Sequence, residues 1–259
     1  MTSRFKGRTV VVTGAASGIG AATATRLRAE GAEVIALDRN PPADASLRFV
    51  SVDMADPGRI DAAVAQLPGR IDALCNIAGL PGNHGADLTL RVNLLGLRHL
   101  TEALVPRMPR GAAVVNLASV AGNGWPERSA QHLALARTPD FAAGQAWLAE
   151  YPVDEATCYQ FSKEAVIVWT MARAGSLHRD HGIRMNCVSP GPVDTPILAD
   201  FRRTLGEAKV AQAEVLMGRA GTPDDIAPVV AFLCSDDARW IAGENIRVDG
   251  SLTASRATM

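Results

Sequence analysis

Residues 8–20 read RTVVVTGAASGIG, and this stretch decides the fold. Arg8 to Thr13 centres on three successive valines, the pattern of a strand buried on both faces. Glycines at 14, 18 and 20 follow. Ala21 to Glu30, rich in Ala, Leu and Arg, then reads as a helix that Gly31 stops. Where a strand turns through glycines into a helix, the backbone can approach a pyrophosphate, whose charge suits the free N–H groups of the helix start. Ala16, Ser17 and Ile19 fill that turn and share in the candidate site with Gly14, Gly18 and Gly20. The spacing is G-x-x-x-G-x-G and not G-x-G-x-x-G, so its meaning rests on what surrounds it.

Outward from this unit, short β-branched runs keep alternating with helical stretches, without repeat or low-complexity tract. Strands are expected at Glu33–Leu37, Phe49–Val52, Ala73–Ile77, Ala113–Leu117, Arg184–Val188 and Glu244–Val248. Helices are expected near Arg59–Gln66, Leu88–Val105, Ala156–Leu177 and Asp224–Cys234. This alternation predicts an α/β fold: a Rossmann-type, doubly wound parallel sheet with helices on both faces. The 259 residues predict one domain spanning 1–259 that buries about three quarters of the surface of its unfolded form. Ligands in such folds lie at the carboxyl ends of the strands, so the chemistry is sought there.

Composition excludes several classes. The 26 basic and 27 acidic residues nearly cancel, which argues against a nucleic-acid binder. No apolar run approaches the roughly 18 residues of a membrane span, and MTSRFKGRTV has no signal-peptide core, so a cytoplasmic protein is expected. Cys75, Cys158, Cys187 and Cys234 lie far apart without metal-type spacing; they read as reduced thiols, with no metal site.

Asp38 ends the second strand, 18 residues past Gly20, where a carboxylate can accept hydrogen bonds from an adenosine ribose. The same charge repels a 2′-phosphate and favours NAD over NADP; Arg39 beside it weakens that preference. Asp53 and Met54 follow the third strand, and Asn76, Ala78 and Gly79 close the fourth, all expected along one crevice. At the reactive end, only two tyrosines and three lysines occur in the chain, yet Tyr159 and Lys163 stand four apart within one expected helix, hence on one face. A phenol titrates near 10; for use as a base near neutrality its pKa must fall by ~2–3 units, or ~3–4 kcal/mol. A nearby ammonium and the positive charge of an oxidised nicotinamide both act in that direction.

TGAASGIG (13–20), Asp38, NIAG (76–79), Asn93 in VNLLG, Ser119 in NLASV, YQFSK (159–163) and PGPVDT (190–195) together resemble the classical short-chain dehydrogenase/reductase family, in its order and over nearly the whole chain. The resemblance implies that Tyr159 is the general acid/base and that Lys163 lowers its pKa and binds the nicotinamide ribose. It further implies that Ser119 hydrogen-bonds the reacting oxygen and that Asn93 holds a water linking Lys163 to solvent. Pro190, Gly191, Val193 and Thr195 would line the nicotinamide. The implied activity is interconversion of a small-molecule alcohol and its aldehyde or ketone. Within the family, DALCNIAGLPG (72–82), GQAWLAEYPV (144–153), CYQFSKEAVIVW (158–169) and RMNCVSPGPVDTPIL (184–198) resemble bacterial coniferyl-alcohol dehydrogenases, with 3α-hydroxysteroid dehydrogenase/carbonyl reductases next. A catalytically silent dinucleotide sensor would typically lack the Tyr-Lys pair, and an enoyl reductase would need a wider spacing than four.

Two departures stand out. Ser119 and Tyr159 are 40 residues apart where the family usually has about a dozen, so residues 121–157 form an insertion, expected as helices near Glu127–Arg137 and Asp140–Glu150. It could wall the substrate pocket or obstruct the helix-on-helix contact by which many members assemble, which favours a dimeric homo-oligomer over a tetramer. Trp125, Phe141, Trp147 and Tyr151 could offer a planar substrate aromatic surface or bury the insertion against the body. Residues 192–218 read as a substrate lid, with Leu216 and Met217 as packing. The second departure is Ser251 in DGS (249–251), where the family usually has glycine, which affects local turn geometry.

Overall fold

The valine run forms β1 (Thr9–Thr13) near the middle of a seven-stranded, all-parallel sheet in this computed structural model, which describes residues 3–259. Met1 and Thr2, which open the expected 1–259 domain, lie outside the described residues. The other strands are β2 (Glu33–Asp38), β3 (Arg48–Ser51), β4 (Ala73–Asn76), β5 (Ala113–Leu117), β6 (Arg184–Pro190) and β7 (Asn245–Val248), in spatial order 3-2-1-4-5-6-7. Parallel pairing buries both faces, so successive residues serve opposite cores. Val11, Ile35, Leu37, Leu74, Val114 and Met185 face one core; Val10, Val12, Val34, Ala36, Ala73 and Val115 face the other.

The second core is roofed by α1 (Gly18–Ala29) and α10 (Pro223–Cys234), which pack on each other. The first is covered by α2 (Pro57–Val64), by α3 (Ala86–Leu90) and α4 (Leu97–Leu104), and by α7 (Cys158–Ser176). The helix expected over Leu88–Val105 is interrupted: Arg91–Gly96 makes a π-helical turn between α3 and α4. The interruption follows its neighbours. Gly96 lies so close to the 53–56 loop that a Cβ there would sit 1.9 Å from the Met54 carbonyl oxygen, and Arg91 donates twice to the Ala55 carbonyl, at 3.0 and 2.6 Å.

Between β5 and α7 the inserted segment forms a 3-10 stretch (Val120–Arg128), α5 (Ser129–Ala136) and α6 (Phe141–Glu150), with Asp140 capping α6 by accepting the Ala143 N–H at 2.8 Å. It docks on α7 and on the π-helical turn. Gly122 allows the approach, since a Cβ there would lie 2.8 Å from the Lys163 backbone. Glu164, 3% exposed, accepts from Arg128 at 2.9 and 2.7 Å and from His132 Nε2 at 2.7 Å. Arg98 on α4 donates to the Leu135 and Thr138 carbonyls. Phe141 is buried, Trp125 and Trp147 pack against the first core, and Tyr151 stays exposed.

After β6 come α8 (Leu198–Leu205) and α9 (Glu207–Met217), and after β7 comes α11 (Leu252–Ala257), which packs on α9. Ser251 holds a left-handed φ of 68°, so the turn keeps a glycine-like conformation with a side chain in place. Met217 packs against Gly191 and Gly250. No helix among the described residues is long and apolar enough to cross a membrane.

Candidate active site

The strand order reverses between β1 and β4, and the chain leaves their carboxyl ends in diverging directions, which opens a crevice there. Thr13, the last residue of β1, ties the two exits together: its hydroxyl oxygen accepts the N–H groups of Ile77 at 2.9 Å and Ala78 at 3.0 Å. Gly14 comes next at φ 69°, and a Cβ on it would lie 2.8 Å from the Ala78 nitrogen. A Cβ on Gly20 would meet the Gly14 carbonyl oxygen at 2.0 Å. The glycines are thus demanded by the crossing of backbones as well as by room for a ligand. α1 starts at Gly18, so the unpaired N–H groups of its first turn open toward the crevice.

Asp38 closes this end. Its carboxylate accepts the Ala16 N–H at 3.0 Å and the Asn40 N–H at 3.1 Å, which fixes it beside the glycine turn. A cleft of about 250 Å³ is lined here by Gly14, Ser17, Gly18, Ile19, Gly20, Asp38, Arg39, Asp53, Met54, Ala78 and Gly79. Asp53 stands two residues past the end of β3 and also accepts the Ala55 N–H at 2.9 Å. A backbone cradle with no room for Cβ atoms, a free helix start and a fixed carboxylate fit a dinucleotide.

A second cleft of about 370 Å³ adjoins the first; Ile19, Gly79, Leu117 and Thr195 line both, so the two form one trough. Tyr159 and Lys163, one turn apart on α7, meet Ser119 from just beyond β5 and Pro190, Gly191 and Val193 from the end of β6. The Lys163 Nζ donates to the Leu117 carbonyl at 2.8 Å and lies 5.7 Å from the centre of the Tyr159 ring. Burial pushes the Lys163 ammonium down to about 8. It pushes the Tyr159 phenol up to about 12, against the opposing pull of a hydrogen-bonding interaction with Ser119. The expected lowering of the phenol by its ammonium is not found among the protein's own groups: removal from water dominates, and Ser119 is what opposes it.

Three sequence candidates line neither cleft: Ala16, Asn76 and Asn93. Ala16 is engaged through its N–H to Asp38. Asn76 turns into the interior, donating to Thr101 Oγ1 and Asn116 Oδ1 at 2.9 Å each, and Asn116 continues to Thr170 at 3.0 Å. The Asn93 amide clamps the loop after β4: its oxygen accepts the Leu80 N–H at 2.7 Å, and its nitrogen donates to the Leu80 carbonyl and to Ser162. All these hydrogen bonds hold Asn93 beside Gly79, where a Cβ would be 3.3 Å from its oxygen and 3.6 Å from Lys163 Nζ.

Two contributors escaped the sequence reading. Thr13 was legible as part of the motif but not as the clamp between strands. Phe201 on α8 stands 4.7 Å from the Tyr159 ring, centre to centre, and lines the cleft; nothing in its spacing marks it. The insertion's Trp125, Phe141, Trp147 and Tyr151 do not line the cleft.

The chain belongs to the short-chain dehydrogenase/reductase family and is an NAD(P)-dependent oxidoreductase acting on CH–OH groups. Residues 8–130 match the family model described as short chain dehydrogenase, and residues 145–253 match the one described as enoyl-(acyl carrier protein) reductase. Among curated relatives, coniferyl-alcohol dehydrogenase of a Pseudomonas sp. is 46% identical over 95% of this chain and 96% of its own. The solved 3-alpha-hydroxysteroid dehydrogenase of a Pseudomonas sp., complexed with NADH, superposes with a TM-score of 0.79 at 28% identity, covering 97% of this chain and 99% of its own. A short-chain dehydrogenase of Burkholderia cenocepacia in complex with NADP gives 0.73 at 27% identity, covering 96% and 99%.

The depressed lysine has a consequence for stability. Between pH 8 and its ordinary value of 10.5, the unfolded chain retains a proton on Lys163 that the folded chain has released, so stability rises with pH across that window. Below pH 8 the buried ammonium costs about 3 kcal/mol. Tyr159 acts oppositely above pH 10, where stability is lost as the pH approaches 12. Lys163→Met is expected to gain about 1–2 kcal/mol at pH 7, less than the full cost because the Leu117 carbonyl loses its donor. It should also flatten the rise between pH 8 and 10; urea unfolding at stepped pH measures both.

Proposed function

We propose that this enzyme uses NAD to oxidise an aromatic allylic alcohol of the coniferyl type to its aldehyde. The observation that carries the chemistry is the convergence of Tyr159, Lys163 and Ser119 on one cleft that runs on from the dinucleotide crevice. Gly14, Ser17, Gly18, Ile19 and Gly20 would take the pyrophosphate, Asp38 the adenosine ribose, and Asp53 and Met54 the adenine side. Gly79, Pro190, Gly191, Val193 and Thr195 would border the nicotinamide. The bound nicotinamide supplies the hydride acceptor and a positive charge. Ser119 orients the substrate hydroxyl, and the Tyr159 oxygen takes its proton as the carbinol hydrogen leaves. Lys163, held by Leu117, stabilises the phenolate, and Asn93 keeps the Gly79–Leu80 loop pressed beside it. Protein groups thus provide orientation and charge stabilisation, the two terms available to side chains here.

The substrate class rests on the 46% identical relative, together with the apolar wall of Leu198, Phe201 and Val210 in the cleft. The second reading, a hydroxysteroid or similar cyclic alcohol, is supported by the NADH-bound structural neighbour. Coniferyl alcohol with NAD is expected to generate NADH absorbance faster than a 3α-hydroxysteroid does; the reverse order would install the second reading. Tyr159→Phe should lower kcat by about 10³-fold while leaving NADH binding, followed by fluorescence, nearly intact.

Asp38 supports NAD over NADP by placing a carboxylate where a 2′-phosphate would lie, with Arg39 alongside as the group able to hold that phosphate. Asp38→Ala is expected to reduce the NAD:NADP ratio of kcat/KM by at least tenfold; an unchanged ratio would assign selection elsewhere. Four buried cysteines without a disulfide, even where Cys75 and Cys234 bring their sulfurs to 3.5 Å, support residence in the reducing cytoplasm. The insertion's cover over α7 supports a dimeric assembly, and light scattering should return the mass of two chains.

A further inference from the structure

The two halves of the trough differ in charge. The adenosine half presents Asp38 and Asp53 beside Arg39. The half around Tyr159 is lined by Lys163, Lys209 and Arg256, and no aspartate or glutamate is among its lining residues. Lysine is scarce in this chain, three residues among 26 bases, and two of the three face this cleft. Lys163 is committed to the Leu117 carbonyl. Lys209 on α9 and Arg256 on α11 are exposed at the rim, brought together because the two helices pack on one another. Among the described residues no carboxylate hydrogen-bonds or ion-pairs with either of them; of the two glutamates on α9, Glu207 and Glu214, the second is taken by Arg202 at 2.8 Å. The same cleft is lined by apolar Phe201, Val210, Ala213 and Leu252. Low-dielectric walls ending in unpaired charges of one sign focus the field and draw in counter-charge.

We infer that Lys209 and Arg256 form a subsite for an anionic oxygen, carboxylate or phenolate, carried by the substrate at the end remote from the reacting carbinol. This rests on the dehydrogenase reading above and sharpens it: Tyr159 selects the hydroxyl and the rim selects the far end. A coniferyl-type alcohol carries its phenol at that end, so the subsite would bind its ionised form or a carboxylate in the same place. Exposed ion pairs are individually weak, so a preference of about fivefold is expected from the two together.

Matched pairs test this on the full chain. One pair is 4-(hydroxymethyl)benzoate and its methyl ester; the other is coniferyl alcohol and its 4-O-methyl ether, followed as the pH is raised toward the phenol's titration. The anionic member of a pair should have the higher kcat/KM, the advantage should shrink with added salt, and Lys209→Met/Arg256→Met should bring the ratio close to one. A benefit confined to the carboxylate pair, or to the phenol pair, identifies which anion the rim takes. The inference fails if ester and ether match or exceed the anions, or if the double variant keeps the preference. It also fails if that variant merely raises the KM for NAD equally with every alcohol, because the cations would then serve the dinucleotide. If no alcohol is oxidised, the dehydrogenase reading falls. Calorimetry on NADH-loaded protein still decides the subsite: 4-formylbenzoate should bind tighter than its methyl ester in the wild type alone, and equal binding overturns it.

Discussion

Lys163 reaches the Leu117 carbonyl at the end of β5, and this one hydrogen bond fixes where the reactive end of the molecule lies. It attaches α7 to the sheet at the point where the strand runs out, sets the ammonium under the trough and, one turn earlier, aims Tyr159 at Ser119. The bond is made by a cation that burial drives toward neutrality, so the site is assembled at a cost to stability. The rest of the first core, through Phe161, Ala165, Val166, Ile167 and Trp169 on the same helix, offsets that cost by burying apolar surface around it.

The insertion bears on the same helix from outside. Glu164 follows Lys163 in sequence and points the other way, into Arg128 and His132. Its carboxylate assigns the shared proton to His132 Nε2, leaving Nδ1 without a hydrogen-bond partner among the described residues, and burial holds the imidazole below its ordinary pKa. α7 is thus gripped on two sides, by the sheet through Lys163 and by the insertion through Glu164. Phe161 on α7 joins that grip, lying against the insertion's His132 at 4.5 Å and under its Arg128 at 5.7 Å. The aromatic ring that lines the cleft beside Tyr159 comes instead from Phe201, beyond β6.

The opposed burial effects on Tyr159 and Lys163 define the electrostatic task of the site. Removing both groups from water disfavours both charges, the phenolate and the ammonium, and the protein's own dipoles only partly restore them. In the protein alone, burial sets the balance at both groups, with Ser119 drawing the phenol back toward its ordinary value.

Much of this was legible in the chain itself. Valine runs, glycine turns and helix periodicity are local properties, and they determined the alternation of strand and helix, the parallel sheet and the strand ends at which Asp38, Ser119 and Tyr159 would gather. The four-residue spacing of Tyr159 and Lys163 places two side chains on one helical face whatever surrounds them. Tertiary structure decided what depends on distant partners. It turned Asn76 inward to Asn116 and made Asn93 a clamp on Leu80. It broke the expected helix at Arg91–Gly96 against Met54, and it brought Phe201, Lys209 and Arg256 to the cleft from separate segments. Sequence period fixes the direction of a side chain on its own element; which neighbour it meets, and whether water is excluded there, is settled only when the elements pack.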